Sequence, residues 1–130
     1  MEIIADANIF LAVILNEPEK GRIIELTKGA ELVSPDVIPY EIGNALSAMQ
    51  KRHRLDEVQV RRSFTIFEVI PVRLVSVDIL QALSLACKFN IYAYDAYYLE
   101  VAQRLSLPLL TLDQQMKNTA CELNIKLLDI

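Results

Sequence analysis

Four acids in this chain sit where a carboxylate is costly unless it is used. Asp6 closes the short apolar run Ile3-Ile4-Ala5, and Asp113 closes Leu109-Leu110-Thr111-Leu112. Each stands at the end of a strand-like segment, where an Asp can also cap the following helix by accepting from its free N–H groups. Asn8 is open to the same capping reading. Asp95 comes four residues after Ile91 and shortly before Tyr98 and Leu99, so it shares their apolar helix stripe. Glu41 falls at the edge of the stripe formed by Ile38, Ile42, Ala45 and Met49. A carboxylate on such a face needs a cation, a hydrogen-bond network or a proton.

If these four acids converge, their mutual repulsion calls for a bound cation. The chain has a single histidine, His53, and two cysteines without CxxC spacing, so an oxygen-only site for Mg²⁺ or Mn²⁺ is favoured over zinc. Such ions keep water and complete their shell with phosphate oxygens, which points to phosphoryl chemistry. One histidine also excludes acid–base catalysis by a His pair. Cys87 and Cys121, both in apolar helical contexts, are read as buried free thiols.

The elements that must position these acids alternate along the chain. Strand-like runs are expected at 2–5, 32–34, 69–75, 108–112 and 125–128. Helical patterns fill 8–15, 18–28, 36–52, 56–68, 77–89, 92–105 and 114–123, and Asp56 with Gln59 forms a capping-box pattern. No linker or repeat interrupts the alternation, so the 130 residues read as one domain (1–130) with a mainly parallel sheet between layers of helices. In such a sheet a site belongs at the C-terminal ends of the strands.

Hydrophobic residues make up 53% of the chain and the mean hydropathy is +0.29. The longest uncharged stretch, Ala7 to Asn16, is nonetheless too short to span a bilayer, which takes about 20 residues. The acidic start lacks the basic region of a secretory signal, so a cytoplasmic location without membrane contact is expected. Ile9, Phe10, Ala12, Val13 and Ile14, and then Phe64, Ile66, Phe67 and Val69, are apolar on more than one helix face. They read as core with a share left for a partner. The net charge of −4 argues against nucleic acid at first sight. Setting aside the four candidate ligands leaves thirteen acids against thirteen bases. Lys51, Arg52, Arg54, Arg61 and Arg62 then form a basic corner, read either as a solvated helix–turn–helix or as a phosphate-tracking patch.

With these residues in place the sequence resembles the PIN-domain ribonucleases, and among them the VapC-type toxins of toxin–antitoxin pairs. The resemblance rests on Ile-Ala-Asp6-Ala-Asn8, Pro39-Tyr40-Glu41-Ile-Gly-Asn44-Ala-Leu46, Ala93-Tyr94-Asp95-Ala96-Tyr97-Tyr98-Leu99, Leu110-Thr111-Leu-Asp113 and the terminal Ile125-Lys-Leu-Leu, in that order. It implies a three-layer α/β/α PIN-like fold and an acidic metal site made of Asp6, Glu41, Asp95 and Asp113. Asn8 and Thr111 would support the site, Thr111 by orienting the last acid or a water. The implied activity is Mg²⁺- or Mn²⁺-dependent endonucleolytic hydrolysis of RNA. The implied partners are a small VapB-like antitoxin, which could insert a basic side chain into the acidic crevice, and a second copy in a homodimer. Two departures stand out. Gln114 and Gln115 occupy the loop where many relatives carry a basic residue, and Glu100 with Val101 interrupts the usual small-residue run.

Three other readings compete. A catalytically silent PIN-like binding or scaffold module would keep the fold without the reaction. A Mg²⁺-dependent phosphatase would want Asp-x-Asp where this chain has Asp6-Ala-Asn8. A receiver-like domain would want a second early acid and a late lysine that Lys117 and Lys126 are poorly placed to supply.

Overall fold

The computed structural model describes residues 1–130, and its central sheet is wholly parallel. In chain order the elements are β1 (Glu2–Ala5), α1 (Ala7–Ile14), α2 (Lys20–Thr27), β2 (Glu31–Pro35), α3 (Ile38–Lys51) and α4 (Glu57–Val69). β3 (Val72–Val75), α5 (Ile79–Phe89), α6 (Ala93–Leu105), β4 (Leu109–Leu110) and α7 (Gln114–Glu122) follow. The strands lie in the order β3-β2-β1-β4.

That order explains the layers. The chain steps outward from β1 to β2 to β3, then returns across β1 to form β4 on the other side. Crossovers between parallel strands are right-handed. The outward steps therefore put α1 to α4 on one face, and the return puts α5 and α6 on the other. The packing agrees: α1 lies against α2, α3 and α4, whereas α6 lies against β1, β2, α5 and α7. Phe10 of α1 meets Phe67 of α4 edge to face, with centroids 5.5 Å apart. The expected alternation and three layers are thus present.

Burial on both faces accounts for the uniformly apolar β1, whose Ile3, Ile4 and Ala5 are all fully buried. α3 sends Ile38, Ile42 and Leu46 inward along one i, i+4 row, leaving Ala45 and Met49 at its margin. The core row therefore runs through Leu46, and Glu41 and Ala45 share the edge that faces a cavity. The capping box opening α4 is present in both directions, with Gln59 N–H on Asp56 Oδ1 and Asp56 N–H on Gln59 Oε1, both at 2.8 Å.

Several expectations change. The strand expected at 125–128 shrinks to a single bridge between Leu109 and Leu127, because β4, its only neighbour, is two residues long. Cys87 and Cys121 are free but exposed, lying on the outer sides of α5 and α7. The apolar residues of α1 are absorbed by the core, with Ile9, Phe10, Ala12 and Ile14 buried. The exposed apolar surface lies elsewhere, on Leu80 and Ile79 of α5, on Val69, and on Tyr40, Tyr92 and Tyr94. No helix is long and apolar enough to cross a membrane.

Candidate active site

β1 and β4 are neighbours, with Ile4 opposite Leu109 and Ala5 opposite Leu110. The residues that leave these strands, Asp6 and Asp113, therefore emerge side by side at the switch point of the sheet, where open parallel sheets place their ligands. Each opens a helix. Asp6 Oδ1 accepts from Ile9 N–H at 3.1 Å, and Asp113 Oδ1 accepts from Met116 N–H at 3.1 Å. The capping reading is correct for both acids, and it uses one oxygen of each.

The second oxygen of Asp6 accepts from the Thr111 hydroxyl. Thr111 Oγ1 in turn accepts from Asp113 N–H at 3.1 Å. Thr111 therefore aims the carboxylate of the first acid and the main chain of the last one, where the resemblance implied the Asp113 carboxylate or a water.

The other two acids come from opposite layers. Glu41 lies in the first turn of α3, and its Oε1 accepts a 2.7 Å hydrogen bond from the hydroxyl of Tyr98 on α6. Asp95 sits in the first turn of α6, one turn before Tyr98 and on the same side. Asp6, Glu41, Asp95 and Asp113 together line a single cavity of about 250 Å³, joined by Asn8, Asn44, Tyr40 and Tyr94. No lysine, arginine or histidine lines it.

The electrostatics record that imbalance. Burial lifts the Asp6 carboxyl from the usual 3.8 to about 6; the Asp113 and Asp95 charges add to the rise, while the Thr111 and Ile9 hydrogen bonds hold it down. Glu41 is raised by burial and by the charges of Asp95 and Asp6, against the Tyr98 bond. Asp95 is raised by burial and then by Asp113, with no hydrogen bond opposing the shift. Tyr98, buried beside Glu41, is pushed far up and remains a donor.

Whether the residues fit a divalent cation turns on the donors. No three of them are drawn together closely enough to grip an ion unaided. All are hard oxygen donors, and the cavity has room for an ion that keeps part of its water. The set suits a hydrated hard cation.

Of the basic corner, only Arg54 reaches this neighbourhood, in a depression shared with Asn8 and Asp113. Arg61 lines a separate groove against Gly43, Leu46 and Phe64, between α3 and α4. Lys51 is spent on a 2.9 Å bond to Ser47, and Arg52 and Arg62 are exposed and line neither depression. Sequence reasoning placed Tyr98 in the core and missed that it holds Glu41. A phenol on a buried stripe needs a hydrogen-bond partner, and that need was the available signal.

Residues 3–121 match the family profile of the PIN domain. The chain is 29% identical over 117 residues to Ribonuclease VapC9 of Mycobacterium tuberculosis, covering 90% of each protein. It is 28% identical over 122 residues to Ribonuclease VapC3 of Pyrobaculum aerophilum, covering 89% of this chain and 92% of that protein. Among solved structures it resembles VapBC2 from Rickettsia felis bound to a DNA fragment from their promoter. That likeness has a TM-score of 0.71 and 16% identity and covers 98% of each chain, so it carries the fold alone.

Proposed function

The chain belongs to the PIN domain family, and from that premise we propose that it is a divalent-metal-dependent endoribonuclease, the toxin of a VapBC-type toxin–antitoxin pair. One observation carries the reading. Four carboxylates from four separate segments line one cavity that no cationic side chain enters. The likeness to two VapC ribonucleases along nine-tenths of the chain supports RNA as substrate. The structural likeness to VapBC2 supports a VapB-like protein as partner. The phosphatase and receiver readings lose their ground with the family.

Asp6, Glu41, Asp95 and Asp113 would hold Mg²⁺ or Mn²⁺. When bound, the ion activates water and offsets negative charge on the departing oxygen of the phosphodiester. The chain's own contribution is aim. Thr111 and Ile9 N–H hold both oxygens of Asp6, and Tyr98 holds one oxygen of Glu41. These bonds also favour the ionised carboxylates, offsetting part of the burial that opposes them. Asn8 and Asn44 offer neutral donors to a substrate that an all-acid wall would repel.

The test is cleavage of mixed RNA by the purified protein with Mg²⁺ or Mn²⁺, alongside the Asp6→Asn variant and an EDTA control. Cleavage that needs the metal and disappears in the variant supports the reading. Metal-loaded protein that leaves all RNA intact favours the silent module.

A further inference from the structure

The acid cavity continues beyond its carboxylates. Tyr40 and Tyr94 line it and also line a larger depression of about 680 Å³, which Tyr97, Ile79 and Asp36 help to close. Tyr40 is 79% exposed and Tyr94 is 55% exposed. Tyr94 meets Tyr97 edge to face, with centroids 5.7 Å apart, which restrains the tilt of its ring. The same cavity shares Asn8 and Asp113 with the depression that contains Arg54. The three hollows therefore adjoin in the order tyrosines, carboxylates, arginine.

That ordering fits the parts of a single nucleic-acid strand. Open aromatic rings stack unpaired bases with little regard for sequence, and arginine takes phosphate. A base inside a duplex is already paired and stacked, and cannot reach such a ring without being unstacked at a cost.

Resting on the ribonuclease reading above, we infer that the depression formed by Tyr40, Tyr94 and Tyr97 is a nucleobase site. It takes an unpaired base beside the scissile phosphodiester, while the strand continues past Asn8 towards Arg54.

The chain has five tyrosines and no tryptophan, so its ultraviolet emission comes from tyrosine and reports stacking directly. A single-stranded decamer of uridylate, mixed rapidly with the Mg²⁺-loaded protein and read before it is cut, should quench that emission. Tyr40→Ala and Tyr94→Ala should bind it about tenfold more weakly, and Tyr40→Phe should keep wild-type affinity. With Mg²⁺, Tyr40→Ala should raise KM for single-stranded RNA about tenfold, more than it lowers kcat, and a duplex of the same sequence should be cut poorly. Unchanged binding and KM in both alanine variants would overturn the inference, as would equal cleavage of duplex and single strand. If the wild-type protein is quenched by the decamer but cuts no RNA, the catalytic reading fails while the nucleobase site stands. If Tyr40→Ala dissociates a self-associated species in sedimentation and leaves RNA binding unchanged, the depression is a protein interface and the inference falls.

Discussion

Two places in this molecule bury carboxylates, and they differ in what surrounds them. Glu100, on α6, has a side chain only 2% exposed, yet every demand on it is met. Arg104 donates to Oε2 at 2.7 Å, and the Asp78 N–H at the start of α5 donates to Oε1 at 2.8 Å. Arg104 also donates to the Ser76 carbonyl, so the pair fastens α6 to the loop between β3 and α5. At the opposite extreme, Asp6, Glu41, Asp95 and Asp113 share a cavity without any cation, and three of them have raised pKa values. A buried acid with its own arginine is a fastener. Asp6 and its half-buried neighbours instead face one another without a cation, and they hold the folded state at a cost.

The sharpest way to break this comparison is substitution on both sides of it. Asp6→Asn should reduce RNA cleavage at least about a thousandfold, because a ligand and its charge are lost together. The folded protein should survive, since Asn also caps helices and can still meet Thr111. Thermal melting in EDTA near pH 7 should then show the variant as stable as the wild type or more so. Mg²⁺ should raise the melting temperature of the wild type and leave the variant unmoved. A variant that cuts RNA normally would remove Asp6 from the site.

Glu100→Ala should behave in the opposite way. It leaves Arg104 without its partner and the Asp78 N–H without its acceptor, and should cost about 3 kcal/mol of stability by denaturant titration. Cleavage per folded molecule should stay within about threefold. Selective loss of activity with intact stability would place Glu100 with the functional acids.

Stability against pH separates the two regions further. The Asp6 pKa is about 6 in the folded protein and near 3.8 when unfolded. Below about pH 4 both states carry the proton. Between there and pH 6 only the folded state keeps it, so stability falls as pH rises, by about 3 kcal/mol at most once ionisation is complete. Metal-free wild-type protein should therefore be more stable at pH 4.5 than at pH 7, and Asp6→Asn should flatten much of that slope. An unchanged slope in the variant would show that Asp6 is not its source.

The smallest effect belongs to the group that aims an acid. Tyr98→Phe removes the 2.7 Å bond to Glu41 while keeping the ring in the core. Activity should drop about tenfold with a stability change within about 1 kcal/mol, and Mg²⁺ should bind more weakly, as titration calorimetry would show.

Most of the element order was legible because each segment carries its own local signal. Asp56 and Gln59 announce the start of α4, and the i, i+4 spacing announces α3. The last strand was not legible as it stands, because Ile125 to Leu128 looks like a strand whichever neighbour it finds, and here the neighbour is two residues long. Apolar content alone could not say which helices were surplus. α1 proved to be core and α5 the carrier of exposed leucine and isoleucine, since only packing decides which face of an apolar helix is covered.

The four acids and the oxygen-donor chemistry they imply are properties of the sequence, because residue type and helix periodicity determine which carboxylates face inward. Their meeting is a property of the sheet order. Asp6 and Asp113 are more than a hundred residues apart and become neighbours only because the chain returns across β1 to lay β4 beside it. The same long-range contacts turned Thr111 towards Asp6 and gave Glu41 the Tyr98 hydroxyl. They also divided the basic corner, bringing Arg54 to the crevice and leaving Arg61 in another groove. Local spacing cannot encode such pairings, which arise when separate segments pack against a common core.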